Sequence, residues 1–152
     1  MDTEQTPDPS HLLLDNQLCF ALYAASKAMI QAYRPHLEPL GITYPQYLVF
    51  MVLWEEEGIT LKHLGERLSL DSGTLTPLIK RLEKEGFVTR ERSTKDERAI
   101  QIRLTQKGHK LRNKASFIPQ KMLCQVNLDI PLLEKMRADL KTLLKMLQSS
   151  DS

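Results

Sequence analysis

The hydrophobic period of this chain changes at Gly86, and that change limits the fold more than any other feature. Before it, apolar residues recur at three- and four-residue steps; after it they alternate. Leu61, Leu64 and Leu68 mark a short helix with Thr60 as its cap. Ser69-Leu70-Asp71 is a tight connection, and Asp71 or Ser72 caps a further helix running to Glu85 and closed by Gly86. On that helix Leu75, Leu78, Ile79 and Leu82 share one narrow arc, opposite Gly73, Thr74, Thr76, Pro77, Lys80, Arg81 and Lys84. A start near Thr74 puts Pro77 in the first turn; an earlier start puts it deeper, at a cost of about 3 kcal/mol. Phe87–Arg92 and Ala99–Leu104 read as two strands around a charged loop, residues 93–98. Two helices joined by a tight turn, followed at once by a hairpin, make a winged helix-turn-helix. The second helix of such a pair enters the DNA major groove through its N-terminal residues.

The rest of the chain reads as helix. Leu14, Leu18, Leu22, Ala25, Met29 and Tyr33 give a helical period over Leu12–Leu37, which Pro35 and Pro39 end or bend. Pro45–Glu57 is apolar on nearly every side, which predicts full burial. Thr105 caps a fifth helix, broken or kinked near Pro119, and a last helix spans about Leu132–Leu147. Residues 1–11 hold two prolines and no periodicity and read as a mobile arm. No run approaches the ~20 apolar residues of a membrane helix. The start, MDTEQTPDPS, has no signal-peptide character, so no membrane contact and a cytoplasmic location are expected.

Charge is distributed unevenly. Residues 1–58 carry two basic and eight acidic side chains, whereas residues 80–114 carry twelve basic and five acidic. A basic segment of this kind is the footprint of a surface that meets a polyanion. The small residues Ser72, Gly73, Thr74 and Thr76 let backbone and hydroxyls approach DNA closely; Lys80, Arg81, Arg90 and Arg92 suit phosphates. The only cysteines are Cys19 and Cys124. There is no CxxC, and His11, His36, His63 and His109 match no ligand spacing, so neither a metal nor a cofactor is expected. On residue type alone, the two thiols read as buried spectators. Tyr33 and Tyr44 likewise read as packed rings with their hydroxyls at a wet edge.

The segment from Lys95 to Gly108, KDERAIQIRLTQKG, resembles the wing of the MarR family, whose pattern is D-x-R, a strand, then L-T-x-x-G. The resemblance implies that Arg98 enters the minor groove, whose narrow form attracts cations, and that Asp96 steadies the wing. It also implies an intertwined homodimer through the N- and C-terminal helices. Residues 12–40 and 106–148 would then dimerise around a DNA-binding domain at 41–105. The expected fold is mainly α with a small β-hairpin, and the expected partner is a palindromic double-stranded operator.

Residues 14–23, 43–49 and 70–78 further resemble one subgroup, the organic hydroperoxide sensors of the OhrR type. That resemblance implies that Cys19 is the peroxide-reactive thiol and that Tyr33 and Tyr44 of the partner subunit hydrogen-bond it. The product is a sulfenic acid. The two-cysteine branch implies that Cys124 resolves it as a disulfide to Cys19 of the other subunit. The implied function is a repressor that releases DNA when organic hydroperoxide oxidises Cys19. Two other readings stay open: a MarR-type repressor released by a small aromatic acid, and a thiol peroxidase. The second lacks an arginine or threonine partner near Cys19.

Overall fold

The computed structural model describes residues 8–150. The described residues up to Lys114 form one compact unit, and those from Ala115 onward form a second. Of the expected mobile arm, residues 1–7 lie outside the described region. In its remainder Pro9–Leu12 forms a 3-10 turn capped by the Asp8 carboxylate.

The first long helix starts later than its leucine pattern suggests. Leu14–Asn16 is a second 3-10 turn, and α1 runs over Leu18–Leu37. Gln17 causes the delay. Its backbone is extended, and its side-chain amide donates to the carbonyls of His11 (2.6 Å) and Leu13 (3.0 Å). Pro35 falls in the last turn of α1 without ending it, and Pro39 lies in the 3-10 turn Glu38–Leu40, closed by Gly41 at φ +69°. A left-handed residue here suits glycine, which has no Cβ to clash.

Helix α2, Tyr44–Glu55, opens with a capping box. The Gln46 amide donates to Thr43 Oγ1 (3.4 Å) and the Thr43 amide to Gln46 Oε1 (2.9 Å). Tyr47, Val49, Phe50, Val52 and Leu53 are buried, but Met51 is exposed and Trp54 half-buried, so burial of α2 is not complete on every side.

Helix α3, Leu61–Leu68, has Thr60 as its cap, and α4, Ser72–Lys84, has Asp71. Between them Ser69 turns left-handed, and the Leu70 amide returns to the Gly65 carbonyl (2.9 Å). A Cβ at Gly65 would stand 2.8 Å from the Leu70 carbonyl oxygen, so this tight turn needs glycine there. Since α4 starts at Ser72, Pro77 lies inside the helix and not in its first turn. The carbonyl it leaves unpaired belongs to Gly73. Both residues are exposed, so water can satisfy that carbonyl.

Strands β2, Val88–Arg92, and β3, Ile100–Leu104, form the expected hairpin. A strand the sequence did not announce, β1 at Ile59–Thr60, pairs on the other edge of β3, giving the antiparallel order β1-β3-β2. Helix α5, Gln106–Ala115, follows. The Thr105 hydroxyl accepts from the Gly108 amide (3.3 Å) and donates to the Gly86 carbonyl (2.6 Å), which ties the helix start to the hairpin start. Phe50, Leu53, Leu64, Leu75, Ile79, Leu82 and Ile102 form the core of this unit.

In the second unit, the break near Pro119 is realised: α6 spans Ile118–Val126 and α7 spans Ile130–Ser149. No residue of α7 is buried. Met136, Leu140, Leu144 and Leu147, all on its apolar side, are each at least 45% exposed.

Candidate nucleic-acid interface and thiol sites

The N-terminus of α4 presents Ser72, Gly73 and Thr74 to solvent, with Thr76 half-buried one turn on. Asp71 orders this end. Its carboxylate accepts from the Thr74 amide (2.8 Å) and hydroxyl (3.1 Å), and these bonds hold its pKa below the usual carboxylate value. Lys80 and Arg81 are exposed further along, with Arg81 near Glu85 at 3.4 Å. A groove of about 640 Å³ beside the helix start is lined by Lys62 and Ser72 and by Asp96 and Arg98 from the wing. Recognition helix and wing thus border one concave surface.

Asp96 supports the wing through the backbone. Its carboxylate accepts from the Arg98 amide (3.0 Å), and its carbonyl accepts from the Ala99 amide (2.9 Å), while the Arg98 side chain is exposed. The two strand arginines differ. Arg92 is exposed, but Arg90 pairs across the sheet with buried Ile102, and its Nε donates to Glu83 on α4 at 2.8 Å. Arg90 therefore braces the hairpin against the recognition helix, a contact that period-two alternation alone did not reveal.

Cys19 lies in the first turn of α1 and is exposed. Tyr33 lies near the other end of the same helix. Its ring centroid stands 4.9 Å from that of Tyr44, and Tyr47 joins them at 5.9 and 6.4 Å. Burial raises the pKa of all three phenols, so each remains a protonated donor at neutral pH and beyond. Tyr47, buried in the core, joins the ring cluster because its three-residue step from Tyr44 puts both on one helix face. Cys124 is exposed on α6, in the second unit. Among the described residues, no group of His, Cys, Asp and Glu could hold a metal ion, and no helix is long and apolar enough to cross a membrane.

Comparison with known proteins agrees with this geometry. The SarA/Rot family of transcriptional regulators matches residues 31–115. The organic hydroperoxide resistance transcriptional regulator of Bacillus subtilis (strain 168) is 48% identical over 141 residues, covering 93% of this chain and 96% of that relative. Among solved structures, reduced AbfR of Staphylococcus epidermidis bound to DNA is similar with a TM-score of 0.79 and 39% identity, over 91% of this chain and 97% of that one. The disulfide form of AbfR gives 0.61 and 37%, over 92% and 93%. These relatives are regulators rather than enzymes, which sets aside the peroxidase reading. The wing motif, the helix-turn-helix and these likenesses agree: the chain belongs to the MarR family of winged helix-turn-helix transcriptional regulators, in the group of organic hydroperoxide resistance regulators.

Proposed function

We propose that this regulator is a thiol-switched repressor. As a homodimer it holds a palindromic operator while Cys19 is reduced, and it releases the DNA when an organic hydroperoxide oxidises Cys19. The Cys19 thiolate attacks the peroxide oxygen, giving a sulfenic acid and an alcohol. The Cys124 thiol of the partner subunit then displaces water to form a disulfide. Such a switch works in a compartment that keeps thiols reduced, and the cytoplasm is that compartment.

One observation carries this reading. Cys19 and Tyr33 share an unbroken helix, fourteen residues apart, which is about 21 Å at 1.5 Å per residue. Tyr33, so far along the same rod, cannot reach its own Cys19, and the Tyr44 ring packs beside Tyr33 at 4.9 Å. A second copy, packed antiparallel along α1, can bring Tyr33 and Tyr44 to it. Two raised, protonated phenols then stabilise a thiolate by donating to it. The exposed apolar side chains of Leu14, Leu18, Met136, Leu140 and Leu144 support a second copy as well. In that dimer, residues 12–40 and 106–148 form the interface and 41–105 the DNA-binding domain.

On the DNA, Ser72, Gly73, Thr74 and Thr76 enter the major groove. Lys80, Arg81 and Arg92 meet phosphates, and Arg98, with Asp96 behind it, meets the minor groove. Arg90 contributes through its brace to Glu83. The deciding experiment uses a palindromic duplex selected from a random pool by the reduced protein. Treatment with cumene hydroperoxide should release the duplex from the wild type but not from Cys19→Ser. Release from Cys19→Ser would rule the thiol switch out.

A further inference from the structure

We propose that Ser93 is a positioning residue of the wing: it sets the presentation of Arg98 to DNA without touching the duplex. This rests on the reading of the wing as a DNA-contacting element. Ser93 is 6% exposed, whereas residues 94–98 are all exposed. Its amide donates to the Ala99 carbonyl (2.8 Å), closing the neck of the loop. Its hydroxyl oxygen accepts from two successive amides, those of Lys95 (3.2 Å) and Asp96 (3.4 Å), and the Gln101 side-chain amide lies within 3.5 Å.

The next contacts run onward from Asp96. Its carboxylate holds the Arg98 amide and its carbonyl holds that of Ala99, as described above. Ser93 thus fixes Asp96, and Asp96 fixes Arg98. The loop needs this device because it reverses direction with no glycine and no left-handed residue between 93 and 98. Side-chain oxygens replace the backbone bonds that a tighter turn would make. An exposed loop without them would sample many conformers, and the duplex would have to order it on binding, which weakens affinity.

The test is a titration of the selected duplex, followed by fluorescence anisotropy, against wild type, Ser93→Ala, Ser93→Thr, Arg98→Ala and the double Ser93→Ala/Arg98→Ala. Arg98→Ala should weaken binding about tenfold and flatten the salt slope by about one unit. Ser93→Ala should weaken binding about three- to tenfold while lowering the melting temperature by only about 2–4 °C. The double variant should bind no worse than Arg98→Ala, and Ser93→Thr, which keeps the hydroxyl, should recover most of the affinity. Additive losses in the double variant, or normal binding by Ser93→Ala where Arg98→Ala binds poorly, would overturn the positioning role alone. Normal binding by Arg98→Ala would overturn the wing reading beneath it. Should Ser93→Ala not fold, amide exchange in the wild type decides. Slow exchange at Lys95 and Asp96 supports the inference, and unprotected exchange there overturns it.

Discussion

The indole N–H of Trp54 donates to the carbonyl of Gly108 at 3.2 Å, joining the end of α2 to the start of α5 just after the hairpin. On its other contacts, with the hairpin, Gly108 has no room for a side chain. A Cβ there would stand 2.5 Å from the Phe87 carbonyl oxygen and 2.9 Å from Leu104 Cδ2. The glycine of the L-T-x-x-G motif is therefore a packing requirement. Gly108→Ala should destabilise the protein by about 1–3 kcal/mol, measured by denaturant unfolding. A stability equal to wild type would contradict the crowding seen here.

The phenol cluster yields a separation of function. Tyr33→Phe and Tyr44→Phe remove one oxygen each and keep the rings that pack at 4.9 Å. Stability should change by no more than about 1 kcal/mol. DNA affinity should stay near wild type, while oxidation of Cys19, followed by loss of free thiol, should slow. Unchanged oxidation rates in both variants would count against phenols donating to the thiolate.

The two cysteines should divide the labour. On a non-reducing denaturing gel, peroxide-treated wild type should run as a covalent dimer that a reductant collapses. Cys19→Ser and Cys124→Ser should both remain monomeric, and Cys124→Ser should accumulate sulfinic acid or small-thiol adducts at Cys19. A wild type that releases DNA yet stays monomeric would remove Cys124 from the mechanism and leave a one-cysteine sensor.

The strand arginines should behave differently from one another. Arg90 is ion-paired to Glu83 and mostly covered, so Arg90→Ala should cost about 1 kcal/mol of stability. Arg92 is exposed, so Arg92→Ala should leave stability unchanged and lower the salt dependence of DNA binding by about one unit. Equal effects of the two substitutions on both measurements would contradict this division.

Acid should loosen the recognition helix at its start. The bonds from Thr74 keep the Asp71 carboxyl below its ordinary value of 3.8. A depressed carboxyl adds stability that is complete above the unfolded value and is lost as pH falls through the folded one. Wild type should therefore lose stability below about pH 3.8 through this cap, on top of its other acid-sensitive groups. Asp71→Asn keeps a capping oxygen without a titrating proton and should lose less over the same range. Parallel stability curves for the two proteins would show that the cap carries no such linkage.

How far the sequence speaks depends on how local the cause is. The caps at Thr60 and Asp71, the left-handed closure at Gly86, and the switch to period two were legible because each involves neighbours within about four residues, whereas the capping box at Thr43 was not singled out. The wing motif was legible through its resemblance to the MarR pattern, and Asp96 holds the amide of Arg98 two residues away. Local pattern also misled. The leucines before Leu18 fit a helical period, yet the bonds of Gln17 to His11 and Leu13 stop the helix there.

Other features depended on segments far apart in the chain. The two residues of β1 become a strand only because Ile59 meets Ile102. Arg90 becomes a brace only because its strand lies beside Glu83 of α4. The Tyr33–Tyr44 contact exists because α1 and α2 fold back on each other through the turn at Gly41, and the burial that raises both phenols comes with that packing. Residue type and short-range spacing thus determined most of the elements and the caps that are local, while the roles of Cys19 and Cys124 rested on resemblance to a family. Tertiary packing decided which side chains meet, because burial and long-range pairing are properties of the assembled core and of no single stretch of chain.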